Sequence, residues 1–212
     1  MSDHDALRSG LAALAPATTG RLPGDGFLRL GAGVGLVGWT STAALARLSV
    51  PRVGLLALAV WGLLVAVMVG AGLFHVPDAL RFSLPMVGWG LLNATATTVT
   101  LVAVLQEWSA TLVWTVWLVA LGLGYGWTAI ALWRGGQRAR ARGYGYVALV
   151  AAGLLIASGA GMPALQPVRY PLLAVLHAVP LALDARTTLG GRARSGVLLV
   201  AIVGTLGVGA VV

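Results

Sequence analysis

The stretch R169-Y-P-L-L-A-V-L-H-A-V-P-L-A-L-D-A-R186 decides the fold. It is long and apolar enough to cross a bilayer as a helix, yet it carries His177 near its middle. Tyr170, His177 and Asp184 stand seven residues apart, and on a 3.6-residue helix such a step returns to within about 20° of the same face. The spacing predicts one polar stripe down an otherwise apolar span. Pro180 has no N–H and should free the carbonyl of Leu176 beside His177. An ionisable side chain inside a membrane is expensive, which makes this segment the first place to look for function.

Composition extends the membrane reading to the whole chain. Of 212 residues, 58% are hydrophobic and 9% charged, with a mean hydropathy of +0.91. A soluble domain is about 25% charged, so a water-facing surface of ordinary size cannot be built from this sequence. The sequence predicts an all-α integral membrane protein, a bundle of seven transmembrane helices with short loops. Residues 1–26 read as a short cytoplasmic segment. Leu7, Leu11 and Leu14 in it suggest an interfacial helix, which Pro16 and the PGDG at 23–26 end. The membrane domain is 27–212, with spans at about 30–48, 53–74, 84–105, 110–133, 144–161, 170–185 and 196–212. Gly31, Gly35 and Gly38 line one face of the first span, where another helix can come close.

Arginine placement gives the orientation. All 14 basic residues are Arg, for a net charge of +8. Seven alternating spans put 11 arginines on one side and leave Arg47, Arg52 and Arg169 on the other. By the positive-inside rule the protein lies in the cell membrane, amino terminus cytoplasmic and carboxy terminus outside. The Arg-rich cytoplasmic face, with Arg134, Arg138, Arg140 and Arg142 in one loop, predicts contact with anionic lipid headgroups. Nucleic acid is not expected, because no basic patch is interleaved with stacking aromatics.

The site candidates are few. His177 is a candidate proton carrier or ligand, and equally a neutral core histidine. Asp184 lies beside Arg186, and Tyr170 suits an aromatic belt. Asn93, Thr97 and Thr100 share a face of the third span and would line a polar path or bridge helices. No cofactor is predicted and no metal site is recognised; His75 and His177 are weak haem candidates. The absence of lysine excludes a retinal Schiff base, and the absence of cysteine removes thiolate chemistry. Ser158 and His177 resemble the serine–histidine dyad of rhomboid intramembrane proteases. That family has glycine two before the serine and at the third and seventh places after the histidine, where this chain has Ile156, Pro180 and Asp184. The eight tryptophans read mostly as belt and packing residues; Trp39, Trp61 and Trp117 lie deeper, placed to line a cavity or, more simply, to meet lipid.

These features suggest a small transporter or channel-like protein with a polar path between spans three and six. A non-catalytic subunit, anchor or assembly factor is the alternative, either as a homo-oligomer or within a larger membrane complex. A membrane enzyme acting on lipid, with His177 and Asp184 as its acid–base pair, is the third.

Overall fold

A computed structural model describes residues 24–48, 52–76, 78–185 and Ala201. Six long helices account for most of them: α1 Gly24–Arg47, α2 Val53–Phe74, α4 Leu84–Leu105, α5 Ala110–Arg134, α6 Arg138–Gly159 and α7 Arg169–Asp184, with a single turn α3 Asp78–Arg81 between α2 and α4. Four of them, α2, α4, α5 and α6, are long and apolar enough to cross a membrane. The protein is a helical membrane-type bundle. Against the seven transmembrane helices expected, the described residues form six long helices, and the seventh predicted span, 196–212, lies outside them apart from Ala201. The predicted interfacial helix in 1–26 also falls almost wholly outside.

Two predicted spans fail the length or apolarity that a lone membrane helix requires. α7 has 16 residues, about 24 Å at 1.5 Å per residue, short of the ~30 Å hydrocarbon core. α1 is long enough, but its glycines, Asp25, Arg29 and the run Trp39 to Thr42 dilute its apolar character. These two helices pack on each other along their length. α7 is enclosed by α1, α5 and α6, and Leu172, Leu173 and Leu176 have no exposed surface. At the opposite extreme, none of the apolar window of α2 is buried. Its leucines and valines, like those of α4, face outward, as lipid solvation requires.

Helix ends follow local chemistry. α4, α5 and α6 each finish in a Schellman motif, for example Gly161 N–H to the Ser158 carbonyl and Met162 N–H to the Ala157 carbonyl. The residue past the cap must be left-handed, which glycine supplies at Gly136 (φ 77°) and Gly161 (φ 74°), whereas Glu107 adopts φ 54° at the end of α4. Arg81 closes the other end of α2: its Nε donates to the Gly72 carbonyl and its Nη2 to the Val76 carbonyl, both at 2.9 Å.

Interhelical contact rests on rings set into glycines. A Cβ added at Gly35 would lie 2.5 Å from the His177 ring, one at Gly38 2.5 Å from the Trp61 ring, and one at Gly124 2.6 Å from the Trp89 ring. Gly33, also on α1, has nothing within 4 Å. Gly35→Ala should therefore destabilise the bundle by about 2 kcal/mol through overpacking. Gly33→Ala on the same helix should be neutral or stabilising by roughly 0.5 kcal/mol. Thermal melting of the purified protein, followed by circular dichroism, compares the two directly.

Candidate functional site

His177 sits in the middle of α7, and two neighbouring helices supply its surroundings. From α1, Trp39 Nε1 donates to His177 Nδ1 at 3.4 Å, and Gly35 leaves room for the ring. An indole can only donate, so Nδ1 is the bare nitrogen and the ring proton sits on Nε2. From α5, the Tyr125 hydroxyl donates to the His177 backbone carbonyl at 2.9 Å. This carbonyl lies three residues before Pro180, where the proline opens the helical ladder. The side-chain donor thus reaches His177, one residue on from the Leu176 carbonyl that the sequence pointed to.

Aromatic rings close around Trp39, the partner of the histidine. Trp39 is 2% exposed and meets Trp61 edge-on at 4.8 Å, Trp117 edge-on at 5.2 Å and Tyr170 in a stack at 6.4 Å. A second group places Trp89 edge-on to Tyr125 at 4.9 Å and stacks Tyr125 on Tyr144 at 5.6 Å. Such pairs contribute about 0.5–1.5 kcal/mol each beyond their area. The expectation that Trp39, Trp61 and Trp117 meet lipid is therefore corrected: they pack on one another. Tyr170 is half-buried against Trp39.

Asp184, at the end of α7, is buried and held by α6. Arg140 Nε donates to Oδ1 at 2.6 Å and its Nη2 to Oδ2, making a two-pronged pair, and the Tyr144 hydroxyl donates to Oδ2 at 2.7 Å. Arg140 Nη1 also donates to Gln137 Oε1. The sequence placed Arg140 in a loop and offered Arg186 to Asp184. Instead α6 begins at Arg138, so Arg140 projects inward while Arg138 and Arg142, one turn apart, stay exposed. Arg186 lies outside the described residues. The alternation of arginine with alanine at 138–142 was the available signal, and it goes unread when the segment is taken as a loop.

Of the third-span face, Thr100 reaches the aromatic cluster through Trp117, while Asn93 and Thr97 do not join it. Asn93 Nδ2 donates back to the Trp89 carbonyl of its own helix at 2.8 Å, Thr97 is exposed, and Thr100 accepts Trp117 Nε1 at 3.0 Å. α4 packs mainly on α5, while α7 packs on α1, α5 and α6. His75 is exposed at the end of α2, which packs mainly on α1. The structure gives it no shared site with His177. Among the described residues no three His, Cys, Asp or Glu side chains gather in a metal-binding group. Ser158 accepts Trp114 Nε1 at 3.2 Å and makes no hydrogen bond to His177, which takes its donor from Trp39. The rhomboid-like dyad is not assembled. Compared with protein-family models, curated proteins and solved structures, the chain matches none.

What sequence reasoning missed is a set of indole fasteners. Trp61 donates to Thr42 (3.1 Å) and Trp89 to Thr128 (2.9 Å), in addition to the bonds of Trp39, Trp114 and Trp117. Each crosses between two helices. The strongest single contact is the Arg140–Asp184 pair, and it yields a sharp test. Asp184→Ala strands a guanidinium that is mostly buried and should cost about 3 kcal/mol, whereas Arg140→Met combined with Asp184→Leu should recover most of that loss. Melting of the single and double variants reads this out. Equal destabilisation in both would show that the pair itself contributes the stability.

Proposed function

We propose that this chain is a non-catalytic integral membrane protein, a subunit, anchor or assembly factor of a membrane complex. The reading includes seven spans, with 196–212 as the last. It sets the amino terminus in the cytoplasm and the carboxy terminus outside the cell membrane. The observation that carries it is the use made of intramembrane polar groups. His177, Thr100, Thr128, Thr42 and Ser158 each accept an indole N–H from a neighbouring helix. Asp184 is held by Arg140 and Tyr144. Groups consumed in this way favour rigidity over passage of a solute. The uncovered apolar window of α2 supplies a surface suited to lipid or to a neighbouring subunit, including a second copy. The exposed Arg134, Arg138 and Arg142 suit anionic lipid headgroups.

A transport path between α4 and α7 finds less support, because α5 contributes the main packing surface to α4 and also packs on α7. A lipid-directed acid–base pair finds less still. His177 and Asp184 are about 10 Å apart along one helix, each with separate partners.

The chain has no cysteine, so single cysteines at Asn93, Thr97 and His177 report water access directly. A membrane-impermeant thiol reagent, applied to intact cells and to inverted vesicles, should leave all three unlabelled while cysteines at Trp108 and Arg134 react. Labelling at position 177 or 93 would replace this reading with a water-filled path. Gentle solubilisation should in addition release a particle well above the chain mass of 21.6 kDa, and a monomer in native membranes would count against a subunit role.

A further inference from the structure

The connection between α6 and α7 borders a cavity whose walls include the Trp114–Ser158 fastener. Its volume is about 70 Å³, and Thr111, Trp114, Ser158, Met162, Gln166 and Arg169 contribute to its walls. That is several times the space a single water needs. The cavity lies where α5 begins, α6 ends and α7 begins. It therefore opens at one face of the bundle, the face opposite the Arg140–Asp184 pair.

Its chemistry is that of an anion site. Arg169 is half-buried, and its Nε donates to the Gln166 carbonyl at 3.2 Å, which steers the guanidinium. Neither Nη group makes a hydrogen bond or ion pair among the described residues, and Glu107, the one described acid on this face, is not paired with it. Ser158 Oγ uses a lone pair to accept Trp114 Nε1, which leaves its O–H as a donor. The Thr111 hydroxyl and the Gln166 amide add further donors on the same walls. The planar fork of Arg169 matches two oxygens of a phosphate.

We propose that this cavity binds an oxyanion, the phosphate of an anionic phospholipid headgroup, with Arg169 as its anchor. A lipid is favoured over free phosphate by what borders the mouth. Met162, on the cavity wall, is 51% exposed, and Leu165 lines the same wall, so apolar surface for an acyl chain adjoins the polar groups.

Because the chain lacks cysteine, Met162→Cys carries one environment-sensitive fluorophore at the cavity rim. Titration of the full chain in neutral detergent with short-chain phosphatidylglycerol should give a saturable change that short-chain phosphatidylcholine does not. Arg169→Gln should weaken it by about tenfold, the loss of one charged hydrogen-bonding group. Arg169→Lys should fall between the two, and Arg138→Gln, at the other face, should leave the response intact. An equal, Arg169-dependent response to inorganic phosphate would keep the oxyanion site and assign it to the free ion. A response to neither probe, or one unchanged in Arg169→Gln while that variant melts like the parent, would overturn the proposal.

Discussion

A tryptophan buried between membrane helices must satisfy two demands at once, and most of this bundle follows from how it meets them. The ring needs a hole, because apolar packing inside a bilayer gains nothing from expelling water and depends on close contact. The indole N–H needs an acceptor, because no water is available to take it. Gly38 receives the ring of Trp61 while Thr42, one turn further along the same helix, takes its proton; Gly124 and Thr128 do the same for Trp89. The two acceptors are placed one helical turn after their glycines, and both donate their own hydroxyl to the carbonyl of that glycine. The repeated unit is a glycine followed four residues later by threonine, presented to a tryptophan. It fixes depth and rotation together, which aliphatic packing alone does not.

His177 takes the hydroxyl's part in the α1–α7 interface, with the roles of the helices exchanged: the imidazole fills the Gly35 recess and accepts from Trp39. At the far end of α7 the fastening changes from neutral to ionic. Arg140 stands in the first turn of α6, the positive end of that helix, where a cation is unfavourable unless a carboxylate answers it. Asp184 supplies that charge. Its second contact, Tyr144, stacks on Tyr125, which in turn holds the His177 carbonyl. One run of side chains therefore links the ionic end of α7 to its middle.

The helices were largely legible, and their partners were not. α2 and α4 occur at 53–74 and 84–105 as hydropathy and turn residues predict, because Arg52, the Ser83-Leu84-Pro85 entry and the polar Gln106 and Glu107 punctuate the chain sharply. α6 starts six residues before its predicted span, because arginine is a good helix former and Gly136 ends α5 abruptly enough for the next helix to begin at once. The glycine face of α1 was readable, and Gly31, Gly35 and Gly38 do receive neighbours. Which ring fills which recess was not, since rotation of one helix against another leaves no periodic trace in either. The seven-residue stripe on α7 was followed only in part. Tyr170 meets α1 and His177 contacts α1, yet Asp184 reaches α6, since each heptad turns the face by about 20°.

The pairing of α1 with α7 also sets an order of events. The Trp39–His177 bond joins positions 138 residues apart, so it closes only after every intervening helix has emerged. Until then the glycine recess at Gly35 has no ring to fill it and Trp39 has no acceptor for its N–H, although α2 already covers Gly38 and Thr42. The interface between α1 and α7 thus closes after every helix between them is made. During synthesis one half of the α1 glycine face, Gly38 with Thr42, finds its ring in the very next helix, while the other half, Gly35 with Trp39, waits for α7.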